Sequence, residues 1–262
     1  MSLLITSAKN PLIKQLRHLA TNAKARREAG EYIAEGTHLV ASYLAAGGTP
    51  IRYIYAESAR DNQEITDLIK HLDGASVDGY VLTDDLFESF TNIHANTGIA
   101  ITFTPDITSV QPTQTVVALE DVQDPGNLGT ILRTAAAAGV ENIALSANCA
   151  SAWSPKALRA GMGAQFSLHI KEDTDLIEFI KSATIPTLVT TLSSTSQNLY
   201  DLDLNQPVVW IFGNEGQGVS QSLADHASQH IHIPQADTAV ESLNVAAATS
   251  VCLYEQYRQL HQ

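Results

Sequence analysis

Three short segments in the C-terminal half combine glycine with polar side chains of the kinds that carry chemistry. The first is Asn127-Leu-Gly-Thr-Ile-Leu-Arg133-Thr134, and the second is Phe212-Gly213-Asn214-Glu215-Gly216-Gln217-Gly218. The third is Ile233-Pro234 followed by Glu241-Ser242-Leu243-Asn244-Val245. Glycine lets a backbone approach a ligand closely, and the polar neighbour can reach it. Arg133 stands in a run otherwise made of Leu, Ile, Ala and Thr. A guanidinium holds its proton firmly and is a poor base, but it is a good orienting group and charge stabiliser. The same position suits a surface arginine with a buried stem. Glu215 closes an apolar strand between glycines, where it reads either as a ligand contact or as a turn residue. Asn127 and Ser242 each stand where a loop enters a helix. Either could cap that helix, or could meet a polar or anionic group at its positive end.

These residues need elements to hold them. Apolar runs and punctuating Gly and Pro predict strands at 116–119, 143–145, 187–191, 208–212 and 231–233, and helices at 128–138, 175–182, 219–227 and 242–259. Strands alternating with helices imply a parallel sheet with helices on both faces. Ligands of open parallel sheets bind beyond the carboxyl ends of the strands. The three segments follow strands 116–119, 208–212 and 231–233, so the pattern converges them on one edge. Upstream, helices are expected at 11–20, 37–46 and 63–72, and strands at 32–34, 51–55, 79–82 and 99–103. The stretch 104–115, with two prolines and several Thr and Ser, reads as a boundary.

The chain has 262 residues, 44% of them hydrophobic, and a net charge of −13. That balance argues against general nucleic-acid binding, but it is uneven. Residues 1–30 hold six basic side chains, Lys9, Lys14, Arg17, Lys24, Arg26 and Arg27, against the single acid Glu28, a local net of +5. The remainder holds 9 basic and 27 acidic residues, a net of −18. A basic arm on an acidic body suits selective contact with phosphates; a solvated helix face has the same composition. No P-loop, G-x-G-x-x-G fingerprint or G-x-S-x-G elbow occurs. His226, His230 and His232 lack accompanying ligands, so no metal site is expected. Two cysteines, Cys149 and Cys252, fit a reduced cytoplasm without a disulfide framework. No apolar run reaches membrane-spanning length, and no secretion signal is visible at the start.

In this order the three segments resemble the motifs of the SpoU/TrmH family, a branch of the knotted SPOUT methyltransferases that methylate RNA ribose 2′-hydroxyls. The resemblance covers roughly the last 150 residues, a full domain in size. It implies S-adenosyl-L-methionine as methyl donor. It also implies a catalytic set of Asn127, Arg133, Glu215, Ser242 and Asn244, with Arg133 orienting or deprotonating the hydroxyl. The cofactor would be held by Thr191, Gly213, Ile233 and Leu243. The segment Ser154-Pro155-Lys156-Ala-Leu-Arg159-Ala-Gly161-Met162-Gly163 is similar to the family as well, with Gly161 where serine is frequent; Lys156 and Arg159 become candidate phosphate contacts. In the loop 235–240, Asp237 replaces a common glycine. Asn10-Pro11-Leu-Ile-Lys14 and Tyr32-Ile-Ala-Glu35-Gly36 resemble a small ribosomal-protein-like RNA-binding domain. The expected architecture is α/β throughout: an RNA substrate-binding domain at 1–104, a linker at 105–115 and a knotted methyltransferase domain at 116–262. The resemblance implies a cytoplasmic homodimer joined through the C-terminal domain and acting on structured RNA, ribosomal rather than transfer. The alternatives are a tRNA 2′-O-methyltransferase and a non-catalytic RNA-binding protein that keeps the fold.

Overall fold

Short strands and helices make up the computed structural model, which describes residues 3–91, 98–106, 109–110, 112–191, 193, 196–236 and 242–262. In order they are β1 (Leu3–Ile5), α1 (Pro11–Thr21), α2 (Ala23–Ala29), β2 (Tyr32–Glu35), α3 (Thr37–Ala45), β3 (Arg52–Ala56), α4 (Gln63–Gly74), β4 (Asp78–Leu82), α5 (Asp84–Glu88) and β5 (Ile99–Phe103). There follow β6 (Val116–Leu119), α6 (Pro125–Ala137), β7 (Asn142–Leu145), α7 (Pro155–Gly161), β8 (His169–Lys171), α8 (Leu176–Ser182) and β9 (Thr187–Thr190). The chain ends with β10 (Gln197–Asn198), β11 (Val209–Phe212), α9 (Gln221–Ala224), β12 (Gln229–His232) and α10 (Val245–Leu260).

Packing divides the chain into two compact units. One comprises residues 1–106 with 153–166, the other 107–152 with 167–262. The first is built on a five-stranded sheet of order β1-β4-β3-β5-β2, in which β5 runs antiparallel to both β2 and β3. Its helix α1 is amphipathic, burying Ile13, Leu16 and Leu19, which recur every three residues along one helix face. Asn10 caps that helix and Pro11 opens it. The segment 153–166 joins this unit through aromatic packing. Phe103 meets Trp153 at 6.1 Å and Phe166 at 5.4 Å between ring centroids, and Tyr43 meets Phe166 at 5.1 Å.

The second unit holds a seven-stranded sheet of order β10-β12-β9-β11-β6-β7-β8. Every pairing in it is parallel. The strands β6, β7 and β11 are buried at every position, as a parallel sheet covered on both faces requires. The core gathers Val116, Ala118, Val189, Val209 and Ile211 from the strands with Leu176 and Ile180 of α8. Trp210, fully buried, donates from Nε1 to Gln256 Oε1 at 2.8 Å, which ties α10 to the sheet.

The element boundaries differ from the sequence reading at the helix starts. Helix α6 begins three residues earlier than expected because Asp124, not Asn127, caps it: Asp124 Oδ1 accepts from the amides of Gly126 at 2.8 Å and Asn127 at 2.9 Å. Arg133 therefore lies on the third turn rather than the second. Helix α10 begins three residues later than expected, because Asn244 and not Ser242 supplies the cap. The helix expected at 219–227 is one turn, Gln221–Ala224.

Candidate functional site

Thr191, Gly213 and Ile233 each follow the last residue of a strand, β9, β11 and β12 in turn. Those strands are neighbours and parallel, so the three residues line one edge of the sheet. The Thr191 amide donates to Ile231 O at 2.9 Å. Leu243, 38% exposed, leaves an apolar side chain uncovered just before α10. Thr191, Gly213 and Ile233 each offer backbone N–H and C=O groups at a strand end, and Leu243 offers an exposed apolar side chain, the kinds of group that grip a purine edge and an amino-acid chain. Asp237 and Glu241 lie outside the described residues.

Gly213 serves a second purpose. A β-carbon there would overlap the Gly218 carbonyl and the Val219 amide. The glycine is required because the chain doubles back at that point, with Asn214 and Gly218 exchanging backbone bonds at 3.0 and 2.9 Å. Asn214 Oδ1 accepts from Gly216 N at 2.9 Å and Gln217 N at 3.1 Å, which fixes the turn, and Gly218 takes a φ of +70°. A larger residue at 213 acts on this hairpin, not only on space for a ligand.

The tip of the hairpin carries Glu215. Its Oε1 accepts from Asn127 Nδ2 at 3.0 Å and from Asp124 N at 3.2 Å, and Oε2 from Gln123 N at 3.4 Å. Asn127 Oδ1 in turn accepts from Asn244 Nδ2 at 3.0 Å. Asn244 Oδ1 is held by the amides of Ala246 and Ala247, so its amide orientation is fixed by the helix it caps. That fixes the orientation of Asn127, which must present its NH2 to Glu215. Burial pushes the Glu215 carboxyl up, but bonds from Asn127, its own amide and the amides of Asp124 and Gln123 outweigh that and hold it below the ordinary carboxylate value. Glu215 is thus an ionised acceptor already occupied by protein donors. Its geometry makes it a tether between segments 123–127 and 213–218.

Asn127 is therefore bonded directly to both Glu215 and Asn244. Ser242 is exposed two residues before Asn244. Arg133 is not joined to the three. It is exposed on α6 and has no bonding partner among the described residues. Six residues separate it from Asn127, a turn of about 240° that puts it on a different face of the helix.

The expected phosphate contacts all lie in the first unit. Lys9, Lys14, Lys24 and Arg27 are exposed. Lys24 faces Glu28 at 3.7 Å across a solvated surface. Arg17 is half-buried, with Nε donating to Ser89 Oγ at 3.1 Å. Arg26 departs from the expectation. It is 6% exposed, and Nη1 donates to the Leu19 carbonyl at 2.8 Å and the Ala20 carbonyl at 3.4 Å. Its charge closes the C-terminal carbonyls of α1 and does not face solvent. Lys156 and Arg159 are exposed on α7, which Ser154 caps. At Gly161, a β-carbon would meet the side chain of Gln165, whose Nε2 donates to Ala157 O at 2.9 Å; this accounts for glycine at that position.

The second unit carries four Lys or Arg residues in all, Arg133, Lys171, Lys181 and Arg258. Lys181 pairs with Glu178 at 2.9 Å and Arg258 with Glu255 at 2.7 Å. Among the described residues no group of three or more His, Cys, Asp or Glu could hold a metal ion, and no helix is long and apolar enough to cross a membrane.

Comparison with known proteins identifies relatives along nearly the whole chain. Residues 114–254 match the SpoU rRNA Methylase family, and residues 10–100 match the MRM3-like substrate binding domain. The chain is 37% identical over 261 residues to an uncharacterized tRNA/rRNA methyltransferase of Synechocystis, covering 97% of this chain and 93% of that one. It is 28% identical over 252 residues to the 23S rRNA (guanosine(2553)-2′-O)-methyltransferase RlmP of Bacillus subtilis, covering 95% and 97%. Among solved structures, the AdoMet-bound rRNA methyltransferase from Sinorhizobium meliloti superposes with a TM-score of 0.85 at 30% identity, over 99% of this chain and 98% of that one.

Proposed function

The chain belongs to the SpoU rRNA methylase family, and we propose that it transfers a methyl group from S-adenosylmethionine to a ribose 2′-hydroxyl of ribosomal RNA. The observation that carries this reading is the bonded set Asn127–Glu215–Asn244, assembled beside the strand ends that suit the donor. Bound S-adenosylmethionine supplies a methyl carbon on a positively charged sulfur. The protein's task is to align the hydroxyl oxygen with that carbon, and alignment supplies much of the rate. Asn127 and Asn244 hold the entries of α6 and α10 in fixed register, and Glu215 secures the pair. Arg133 orients the hydroxyl and stabilises its developing negative charge, a role that suits a guanidinium better than proton abstraction. Thr191, Gly213, Ile233 and Leu243 hold the donor, and Ser242 contacts the ribose.

The first unit binds the RNA. Lys9, Lys14, Arg17, Lys24, Arg27, Lys156 and Arg159 contact phosphates there, since the second unit has few cations to offer. Ribosomal RNA is favoured over transfer RNA because the Bacillus subtilis relative is named for 23S rRNA. We further propose a cytoplasmic homodimer. Arg133 lies on another face of α6 from Asn127, and α10 exposes Tyr254, Tyr257 and Leu260, which supports a site completed by a second copy. A threaded, knotted crossing belongs to the same reading. It is supported by the return of the chain from β12, three places from β6 in the sheet, to Asn244 beside Asn127. The test is transfer of labelled methyl from S-adenosylmethionine to unmethylated ribosomal RNA and to transfer RNA, with digestion to nucleosides. A 2′-O-methyl nucleoside from ribosomal RNA is expected; label in a base, or in transfer RNA alone, contradicts the reading.

A further inference from the structure

The loop after β6 and the hairpin after β11 are joined by further bonds that the Asn127–Glu215–Asn244 set does not use. Glu120, the first residue past β6, accepts from Ser220 N and from Ser220 Oγ, each at 2.6 Å. Asp121 follows with a φ of +55°, in the left-handed region that residues with a β-carbon seldom adopt. Its side chain explains how it is held there. Oδ1 accepts from Ser146 Oγ at 2.6 Å, Oδ2 from Asn148 Nδ2 at 3.2 Å, and the Asp121 amide donates to Ser146 Oγ at 2.9 Å. With the backbone so turned, the Asp121 carbonyl accepts from Asn214 Nδ2 at 2.9 Å. The other amide atom of Asn214 fixes the turn that carries Glu215. A continuous path of hydrogen bonds and short turns thus runs from the end of β7 through Asp121, Asn214, Glu215 and Asn127 to the cap of α10.

We propose that Asp121 is a positioning residue for methyl transfer, setting the place of Glu215 and, through it, of Asn127. This rests on the reading of Asn127, Glu215 and Arg133 as parts of the active site. Two substitutions separate its features. Glycine adopts the left-handed conformation freely but has no side chain to grip Ser146 and Asn148, so the carbonyl loses its fixed aim. Asparagine also tolerates that conformation, and its Oδ1 can still accept from Ser146 Oγ. A staple that merely stabilises the sheet would show its loss in melting temperature. A positioning residue shows it in turnover.

The experiment measures steady-state methyl transfer on unmethylated ribosomal RNA, S-adenosylmethionine binding by calorimetry and thermal midpoint for wild type, Asp121→Gly, Asp121→Asn and Arg133→Ala. Asp121→Gly is expected to lower kcat roughly tenfold or more, with the RNA KM and donor Kd within about twofold of wild type. Asp121→Asn is expected to recover most of that turnover. Wild-type kcat in Asp121→Gly overturns the proposal, as does a loss explained by unfolding or weaker donor binding, or an asparagine variant no better than glycine. Arg133→Ala at wild-type turnover would instead overturn the site reading itself.

Discussion

Glu215 Oε1 and Asn127 Nδ2 lie 3.0 Å apart although 88 positions separate them in the chain. The bond joins the hairpin after β11 to the first turn of α6, and Asn244 closes the set from the far end of the sequence. Replacing Asn127 by aspartate would put a second carboxylate against Glu215 and remove the Nδ2 donor that bonds it. We expect Asn127→Asp to lower methyl transfer by about a hundredfold, and Asn127→Ala by less, since alanine removes the bond without adding repulsion. Steady-state kinetics on ribosomal RNA decide it, and equal turnover in the two variants would argue against a positioned pair.

The low pKa of Glu215 gives a pH dependence with a definite sign. Its folded value lies below the ordinary 4.5, so its bonds stabilise the fold above that pH, and the contribution disappears as pH falls through the folded value. Wild type should exceed Glu215→Gln in stability at neutral pH, and the difference should shrink below about pH 4.5. Denaturant unfolding at several pH values measures this. A constant difference between pH 3 and pH 7 would mean that the carboxylate is not held by those donors.

Arg26 and its neighbours separate two uses of positive charge. Reversing exposed Lys24 and Arg27 to glutamate should weaken RNA binding and lower the salt slope by about one for each lost phosphate contact, leaving donor affinity unchanged. Arg26→Ala should instead cost about 1–3 kcal/mol of stability by stranding the α1 carbonyls. Filter binding across a salt series and thermal melting read the two effects apart. A salt slope unchanged in the double reversal would leave recognition to Lys9, Lys14, Arg17, Lys156 and Arg159.

Gly213 offers a check on local geometry. Gly213→Ala should destabilise the hairpin, because the new methyl meets the Gly218–Val219 backbone, and should lower turnover through misplaced Glu215. Donor affinity measured by calorimetry should fall less than kcat. A large loss of donor binding with full stability would mean that the glycine serves the ligand alone.

Much of this was legible in the sequence because each of the three segments sets glycine and polar residues after an apolar run that reads as a strand. The strands at 116–119 and 99–103 carry apolar runs whose ends are sharply marked, and both form at those residues. Competing caps were less legible. Asp124 and Asn127 are both good caps three residues apart, and Pro125 at the first helical position decides between them only once the helix is seen. Arg26 looked like its exposed neighbours because composition does not report which face of a short helix turns inward. The packing of 153–166 in the first unit depends on Phe103 and Tyr43, far away in sequence. Asp121 gave no signal, since a left-handed aspartate is indistinguishable from an ordinary one in sequence.

We propose that this chain methylates ribosomal RNA at a ribose 2′-hydroxyl using Arg133. The most direct measurement maps 2′-O-methylated positions across cellular RNA in cells with the protein, without it, and with only its Arg133→Ala form. The expected result is a ribosomal RNA position that loses its methyl group without the protein, regains it with the wild type and stays unmethylated with Arg133→Ala. Full methylation supported by Arg133→Ala, or no ribosomal position that changes, would contradict the account.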